Sequence, residues 1–140
     1  APINWLRYQR YKNITADELN AARSLQVEVH WQLAEFMRDY DVILSPTLPV
    51  MPAKVGEMGP KQPIEVVDQK ASMFSLFTLL YNFTGQPAMS VPLHWSADGL
   101  PVGVQFAGRY AEEDVLFRLA AQLEEAQPWA GRRPVFPGSV

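Results

Sequence analysis

The chain has 140 residues, a formal net charge of −3 and no cysteine, with 48% hydrophobic and 19% charged residues. This composition is typical of a folded domain, and it excludes a disordered chain and gives no support to nucleic-acid binding. The lack of cysteine excludes disulfides and thiolate chemistry and leaves the cytoplasm as the expected compartment. No apolar run approaches the ~20 residues of a membrane span, so we expect no membrane partner.

The first half of the chain predicts one long helix, one strand and one loop. Residues 1–14 are rich in aromatic and basic side chains and predict a connecting segment that packs its aromatics on another surface. Residues 15–18 read Thr-Ala-Asp-Glu, a capping box that predicts a helix ending near Asp39. Residues 41–45 predict a short strand that is apolar on both faces. Residues 46–66 hold five of the twelve prolines and predict a long loop.

A second helix is predicted over residues 67–81. Its apolar side chains surround it almost completely, which is typical of a helix buried inside a larger body. Gly85 follows and is expected to adopt a left-handed cap conformation.

A hairpin is predicted next, because residues 88–93 and 102–107 alternate in polarity on either side of Asp98-Gly99. Proline cannot donate to a strand ladder, so Pro92 is expected at a strand end or on an edge. Gly103, Gln105 and Ala107 are small or polar and face away from the apolar side of their strand, which predicts that another group approaches closely there. A third helix follows, with acids in its first turn and Pro128 at its end.

These elements predict an α/β fold with a partial mixed β-sheet and covering helices. Three strands leave sheet edges that need partners, and two elements are apolar on all sides. We therefore interpret residues 1–140 as one segment of a larger α/β body. The opening Ala1-Pro2 favours the same interpretation, because it lacks a starting methionine.

The sequence offers no convincing catalytic residue. No Gly-x-Ser-x-Gly or Ser-x-x-Lys motif occurs, and His30 and His94 are the only histidines. Two histidines without a His-x-x-x-His pair or cysteine do not predict a metal site, and no cofactor is expected. Five serines were considered as nucleophiles and are interpreted as structural; they are Ser45, Ser72, Ser75, Ser90 and Ser96. Phe74, Phe77, Tyr81 and Asn82 are candidates for lining a substrate pocket, with plain core packing as the alternative.

Four sequence blocks follow one another along the chain: YDVILSPTLPVMP, FTLLYNFTGQPAMSVPL, DGLPVGVQFAG and EEDVLFRLAAQLEEAQPW. In this order they resemble the C-terminal part of the amidase signature enzymes, from about Asp17 to Pro134. The stretches TGQPAMSVPLHWSADGLPVGVQF and PWAGRRP are most similar to the bacterial branch that includes 6-aminohexanoate cyclic-dimer hydrolases.

The resemblance implies an amidase fold and hydrolysis of carbon–nitrogen amide bonds by a Ser-Ser-Lys mechanism. The residues of that mechanism lie upstream in the family, and Lys54, Lys61 and Lys70 do not stand in its motif. The resemblance therefore assigns no catalytic residue to this chain, and the chain alone is expected to be inactive. The implied partners are an N-terminal amidase half or another covering chain, and a small amide substrate, with a homo-oligomer as a further option.

Two other interpretations remain open at this point. The chain could be a freestanding, non-catalytic module that binds a partner through its uncovered sheet. It could also be one half of a split enzyme whose catalytic half is a separate chain.

Overall fold

The computed structural model describes residues 2–133 of the chain. Ala1, on which the expectation of a longer polypeptide partly rested, and Pro134, which ends the PWAGRRP stretch, lie outside the described residues. The elements, in chain order, are α1 (Pro2–Tyr11), α2 (Ala16–Phe36), a 3₁₀ turn (Met37–Asp39), β1 (Val42–Pro46), α3 (Ile64–Phe74), α4 (Leu76–Thr84), β2 (Ala88–Trp95), β3 (Pro101–Gly108) and α5 (Glu113–Ala126).

The sheet has the strand order β1-β3-β2, and both pairs are antiparallel. The predicted hairpin is confirmed, with Met89 opposite Phe106 and Val91 opposite Val104. The register is irregular between Val91 and His94, so Pro92 lies at an irregular point of an outer strand. Its missing N–H costs least there, because the regular ladder of hydrogen bonds is already interrupted. The predicted strand over residues 41–45 joins the same sheet by pairing with β3.

The core lies between one sheet face and α5. Val91, Phe106 and Leu116 are buried together. Partly buried side chains pack around them; these are Val42, Met89, Leu93, Val104, Leu119, Leu123 and Trp129. The apolar face of β3 and the apolar stripe of α5 therefore pack against each other, as the spacing of their apolar residues predicts.

The stretch after α5 returns to the hairpin. The Gln127 side-chain amide donates to the carbonyl oxygen of Leu93 at 2.9 Å. The Arg132 guanidinium lies 3.8 Å from the centre of the Trp95 ring, a cation–π contact. Arg132 is exposed, and its contact with Trp95 holds the end of the described chain against β2.

The start of α2 is confirmed in detail. The Thr15 hydroxyl accepts from the Glu18 amide at 3.2 Å, and the Glu18 carboxylate accepts from the Thr15 amide at 2.8 Å. These reciprocal bonds lower the pKa of Glu18, because both the backbone N–H and the hydroxyl of Thr15 favour its charged form. The helix continues to Phe36, and the 3₁₀ turn carries it to the predicted end at Asp39.

The prediction of a connecting segment over residues 1–14 is wrong, because most of it forms α1. Proline is favourable in the first turn of a helix, and Arg7 and Arg10 fall one turn apart on one face. Both arginines bind the buried carboxylate of Asp68 on α3, at 2.8 Å and 3.1 Å. The aromatic side chains do not pack as expected, since Trp5 and Tyr8 stack on each other and remain exposed.

The single helix predicted over residues 67–81 is two helices. Helix α3 starts at Ile64, and Ser75 separates it from α4 with a backbone of φ −95° and ψ 5°. The Ser75 hydroxyl donates to the carbonyl oxygens of Ala71 and Ser72, a local bond that competes with helix continuation. Gly85 ends α4 at φ 84°, as predicted for a left-handed cap.

The contact between α1 and α3 is expected to depend on pH. Hydrogen bonds from Arg7, and then from Arg10, lower the pKa of Asp68 below its ordinary 3.8. A lowered pKa stabilises the folded chain above pH 3.8, and this contribution is lost as the pH falls through the folded-state pKa. We expect Asp68→Asn to destabilise the chain at neutral pH, with the difference from wild type shrinking below pH 3.8.

Urea unfolding of both proteins between neutral and acid pH measures this dependence, and Asp98→Asn on the exposed hairpin turn serves as the matched control. A difference between wild type and Asp68→Asn that is constant with pH would contradict the role of the carboxylate charge.

Candidate functional site

A cluster of hydroxyl groups lies on the sheet face opposite α5. The hydroxyls of Thr47, just after β1, and Ser90, on β2, are 2.5 Å apart. They meet above Gly103 on the central strand, where a Cβ atom would lie 2.7 Å from both hydroxyl oxygens. The close approach predicted at Gly103 is confirmed, because only a residue without a side chain leaves room for this bridge.

Replacing Gly103 with alanine is expected to cost about 1–3 kcal/mol, the usual range for overpacking a tight contact. The new methyl group must displace the Ser90 and Thr47 hydroxyls and break their hydrogen bond. Chemical denaturation measures the change, and Gly131→Ala is the control, because a Cβ at Gly131 meets nothing within 4 Å. Equal stability of the two variants would contradict the packing described here.

Next to the hydroxyl bridge, a cavity of about 260 Å³ opens between α4 and the sheet. Three of its side chains are buried, with exposed fractions of 7% for Tyr81, 5% for Gln86 and 3% for Gln105. The full lining is Thr47, Thr78, Tyr81, Asn82, Gln86, Ala88, Met89, Ser90 and Gln105. Burial raises the pKa of Tyr81, so its phenol is neutral at physiological pH.

The side chain of Gln105 has a fixed orientation. Its amide nitrogen donates to the Ser45 hydroxyl at 3.2 Å and to the Phe77 carbonyl oxygen at 3.4 Å. A backbone carbonyl only accepts, so the nitrogen must be on that side and the side-chain oxygen is directed away from it. Among the described residues, neither this oxygen nor the Tyr81 hydroxyl takes part in a hydrogen bond. No buried side-chain nitrogen or oxygen of these residues lacks a partner, so both atoms are open to solvent.

The four pocket candidates from the sequence lie in different places. Tyr81 and Asn82 line the cavity under α4. Phe77 contributes its carbonyl oxygen to Gln105. Phe74 lines a separate groove with Met73 and the proline-rich loop. Sequence reasoning placed Gln105 on the strand face where a close approach was expected, but it did not select Gln105 or Gln86 as a pocket residue.

Neither histidine is placed for catalysis within residues 2–133. Nδ1 of His30 lies 2.7 Å from the Thr84 carbonyl oxygen, so it carries the proton and ties α2 to the end of α4. His94 is exposed on β2. The described residues hold no cluster of three or more acidic or histidine side chains that could bind a metal ion. No helix in this part of the chain is long and apolar enough to cross a membrane.

Comparison with known proteins identifies the family. Residues 3–117 match the Amidase family. The chain is a member of the amidase family. It is 35% identical over 115 residues to the 6-aminohexanoate-cyclic-dimer hydrolase of Paenarthrobacter ureafaciens, a match that covers 78% of this chain and 22% of that protein. The chain therefore spans about a fifth of the length of this curated relative.

Solved amidase structures contain the same arrangement. The structure of a 6-aminohexanoate cyclic dimer hydrolase superposes with a TM-score of 0.83 at 31% identity, covering 94% of this chain and 29% of that one. A bacterial aryl acylamidase of the amidase signature family superposes with a TM-score of 0.67 at 28% identity, covering 90% of this chain and 28% of that one. The resemblance seen in the sequence is confirmed.

Proposed function

We propose that this amidase segment acts within an amide hydrolase whose Ser-Ser-Lys residues lie in polypeptide outside this sequence. The observation that carries the proposal is the superposition of 94% of the chain on less than a third of a 6-aminohexanoate cyclic dimer hydrolase. In this proposal the chain supplies sheet strands, covering helices and part of the substrate pocket. The hydrolysed bond is the carbon–nitrogen bond of a small amide.

The contacts of the serines support a catalytic centre elsewhere. A serine nucleophile needs a base within hydrogen-bond reach. Among residues 2–133, no serine hydroxyl contacts a lysine or histidine. Their partners are instead backbone groups, as at Ser72, Ser75 and Ser96, or neutral side chains, as at Ser45 and Ser90.

Phe74, Phe77, Tyr81 and Asn82 belong to this proposal as wall residues of the substrate pocket. They lie on α4 or at the end of α3, and two of them, Tyr81 and Asn82, line the cavity between α4 and the sheet. The partner is the catalytic part of an amidase, in the same polypeptide or a separate one. A cytoplasmic location, expected from the cysteine-free composition, is also part of the proposal.

We expect the purified chain to hydrolyse no activated anilide or ester above background. We further expect activity in a chimera in which the aligned part of this chain, 78% of its length, replaces the matching segment of the Paenarthrobacter hydrolase. Hydrolysis of the cyclic dimer by the chimera is the measurement, and a chimera carrying a shuffled segment is the control. A product burst from the isolated chain, lost on mutating one of its serines, would contradict the proposal, as would a folded but inactive chimera.

A further inference from the structure

A cavity of about 390 Å³ lies between the hairpin and the stretch that follows α5. This volume falls within the ~300–1,000 Å³ of sites that enclose small molecules. Its walls combine rigid apolar rings with positive charge, and they include Pro92, Trp95, Pro101, Trp129, Arg132 and Arg133. Trp129 also packs against the core cluster, so the position of this wall is fixed by the fold.

The stretch after α5 is held in place, and it carries the arginines to the cavity. Besides the bond from Gln127 to Leu93, the backbone N–H of Arg132 donates to the carbonyl oxygen of Trp129 at 2.9 Å. The Arg132 guanidinium then lies over the Trp95 ring. A guanidinium in contact with an indole face keeps N–H groups on its edges for an acceptor. These contacts therefore orient a cationic donor at the cavity.

The cavity has an excess of positive charge. Among the described residues, its lining contains two arginines and no aspartate or glutamate. Neither Arg132 nor Arg133 forms an ion pair with an acidic side chain of residues 2–133. Guanidinium groups match carboxylates in shape and bind them through paired N–H···O bonds. The lining therefore favours an anion, and a carboxylate in particular.

The apolar walls select the rest of the ligand. The indole of Trp129 offers an aromatic surface, against which another aromatic ring packs in an offset or edge-on arrangement. The rings of Pro92 and Pro101 have no side-chain rotamer freedom to lose when a ligand binds. A ligand that carries an aromatic ring next to a carboxylate contacts both kinds of wall at once.

We propose that this cavity is a binding site for a small aromatic carboxylate. Arg132 and Arg133 bind the carboxylate, and Trp129 and the two hairpin prolines contact the ring. The inference goes beyond the proposed function and does not rest on it, because this cavity shares no lining residue with the cavity between α4 and the sheet.

Ligand-observed saturation-transfer NMR on the purified chain tests the site, since this measurement works on monomers and oligomers. Benzoate is the probe, acetate is the control with the charge but no ring, and benzyl alcohol is the control with the ring but no charge. We expect saturable binding of benzoate, and affinities at least tenfold weaker for both controls. No saturable binding of benzoate, or equal binding of benzyl alcohol, would overturn the inference.

Arg132→Gln removes the cation over Trp95, and we expect it to weaken benzoate binding about tenfold, the value of one hydrogen bond to a charged group. Arg133→Gln is expected to act in the same direction. Arg23→Gln is the matched control, because Arg23 is exposed on α2 and does not line the cavity. Equal affinities of the Arg132→Gln and Arg23→Gln variants would contradict the site. Because no turnover is measured, these failures leave the proposed hydrolase function untouched.

Discussion

Replacing Phe106 with alanine is expected to lower the free energy of unfolding by about 3–5 kcal/mol. Phe106 lies on β3, the central strand of the sheet, is 5% exposed, and packs with Val91 and Leu116. Removing its ring leaves a cavity that the two strands beside it cannot fill, because their backbones are held by hydrogen bonds on both sides of β3. Such a loss is a large fraction of the ~5–15 kcal/mol that stabilises a typical domain.

Phe117→Ala is the matched control for this experiment. Phe117 is the next phenylalanine along the chain, on α5, and it is 75% exposed. Its replacement is expected to change stability by no more than about 0.5 kcal/mol. Urea unfolding monitored by circular dichroism compares the two variants, and similar midpoints for both would show that the core between the sheet and α5 is not the main source of stability.

The purified chain is expected to self-associate. Helix α4 is apolar on most sides, and its Leu76 and Leu79 are 58% and 57% exposed. On α2, Trp31 and Phe36 are exposed to a similar extent. Covering about 1,000 Å² of such surface contributes roughly 25 kcal/mol, more than the ~4–15 kcal/mol that association costs. A second copy of the chain is the only partner present in a purified sample.

Sedimentation velocity measures this association, with 15.8 kDa as the mass of the monomer. We expect a heavier species for the wild-type chain, and a shift toward the monomer when Leu76 and Leu79 are both replaced by lysine. The matched control replaces the exposed polar residues Gln122 and Glu125 of α5 by lysine and is expected to leave the association unchanged. A wild-type monomer that binds no hydrophobic dye would show that the chain closes its own core.

The elements that sequence reasoning identified are those whose signals are local. The capping box at Thr15 and the turn at Asp98-Gly99 involve residues within a few positions of each other, and both are confirmed. The side of β3 that faces the core also followed from alternation alone, because Phe106 and its neighbours at every second position share one face.

The predictions that were wrong or incomplete concern features that depend on contacts between distant residues or on the bonds of a single side chain. Helix α1 is held by Asp68, about sixty positions away, so the first residues alone gave no reason to expect a helix. The break at Ser75 comes from a hydroxyl that bonds to the preceding turn, which the apolar pattern around it conceals. The cavity between α4 and the sheet was predicted only in part for the same reason. Tyr81 and Asn82 were selected from the sequence, but they meet Gln105 only after α4 folds onto the sheet.

The strand order has a consequence for how the chain acquires its structure. The partner of β1 is the last strand, so Ser45 and Gln105 meet across 60 positions of sequence. The hairpin of β2 and β3 closes over a short turn, so its formation costs little chain entropy. Pairing of β1 with β3 closes a far longer loop and costs more chain entropy. On the ribosome, the apolar segment of β1 emerges well before β3, the strand it pairs with among the described residues. We expect this interval to be the period in which a nascent amidase depends most on protection from aggregation.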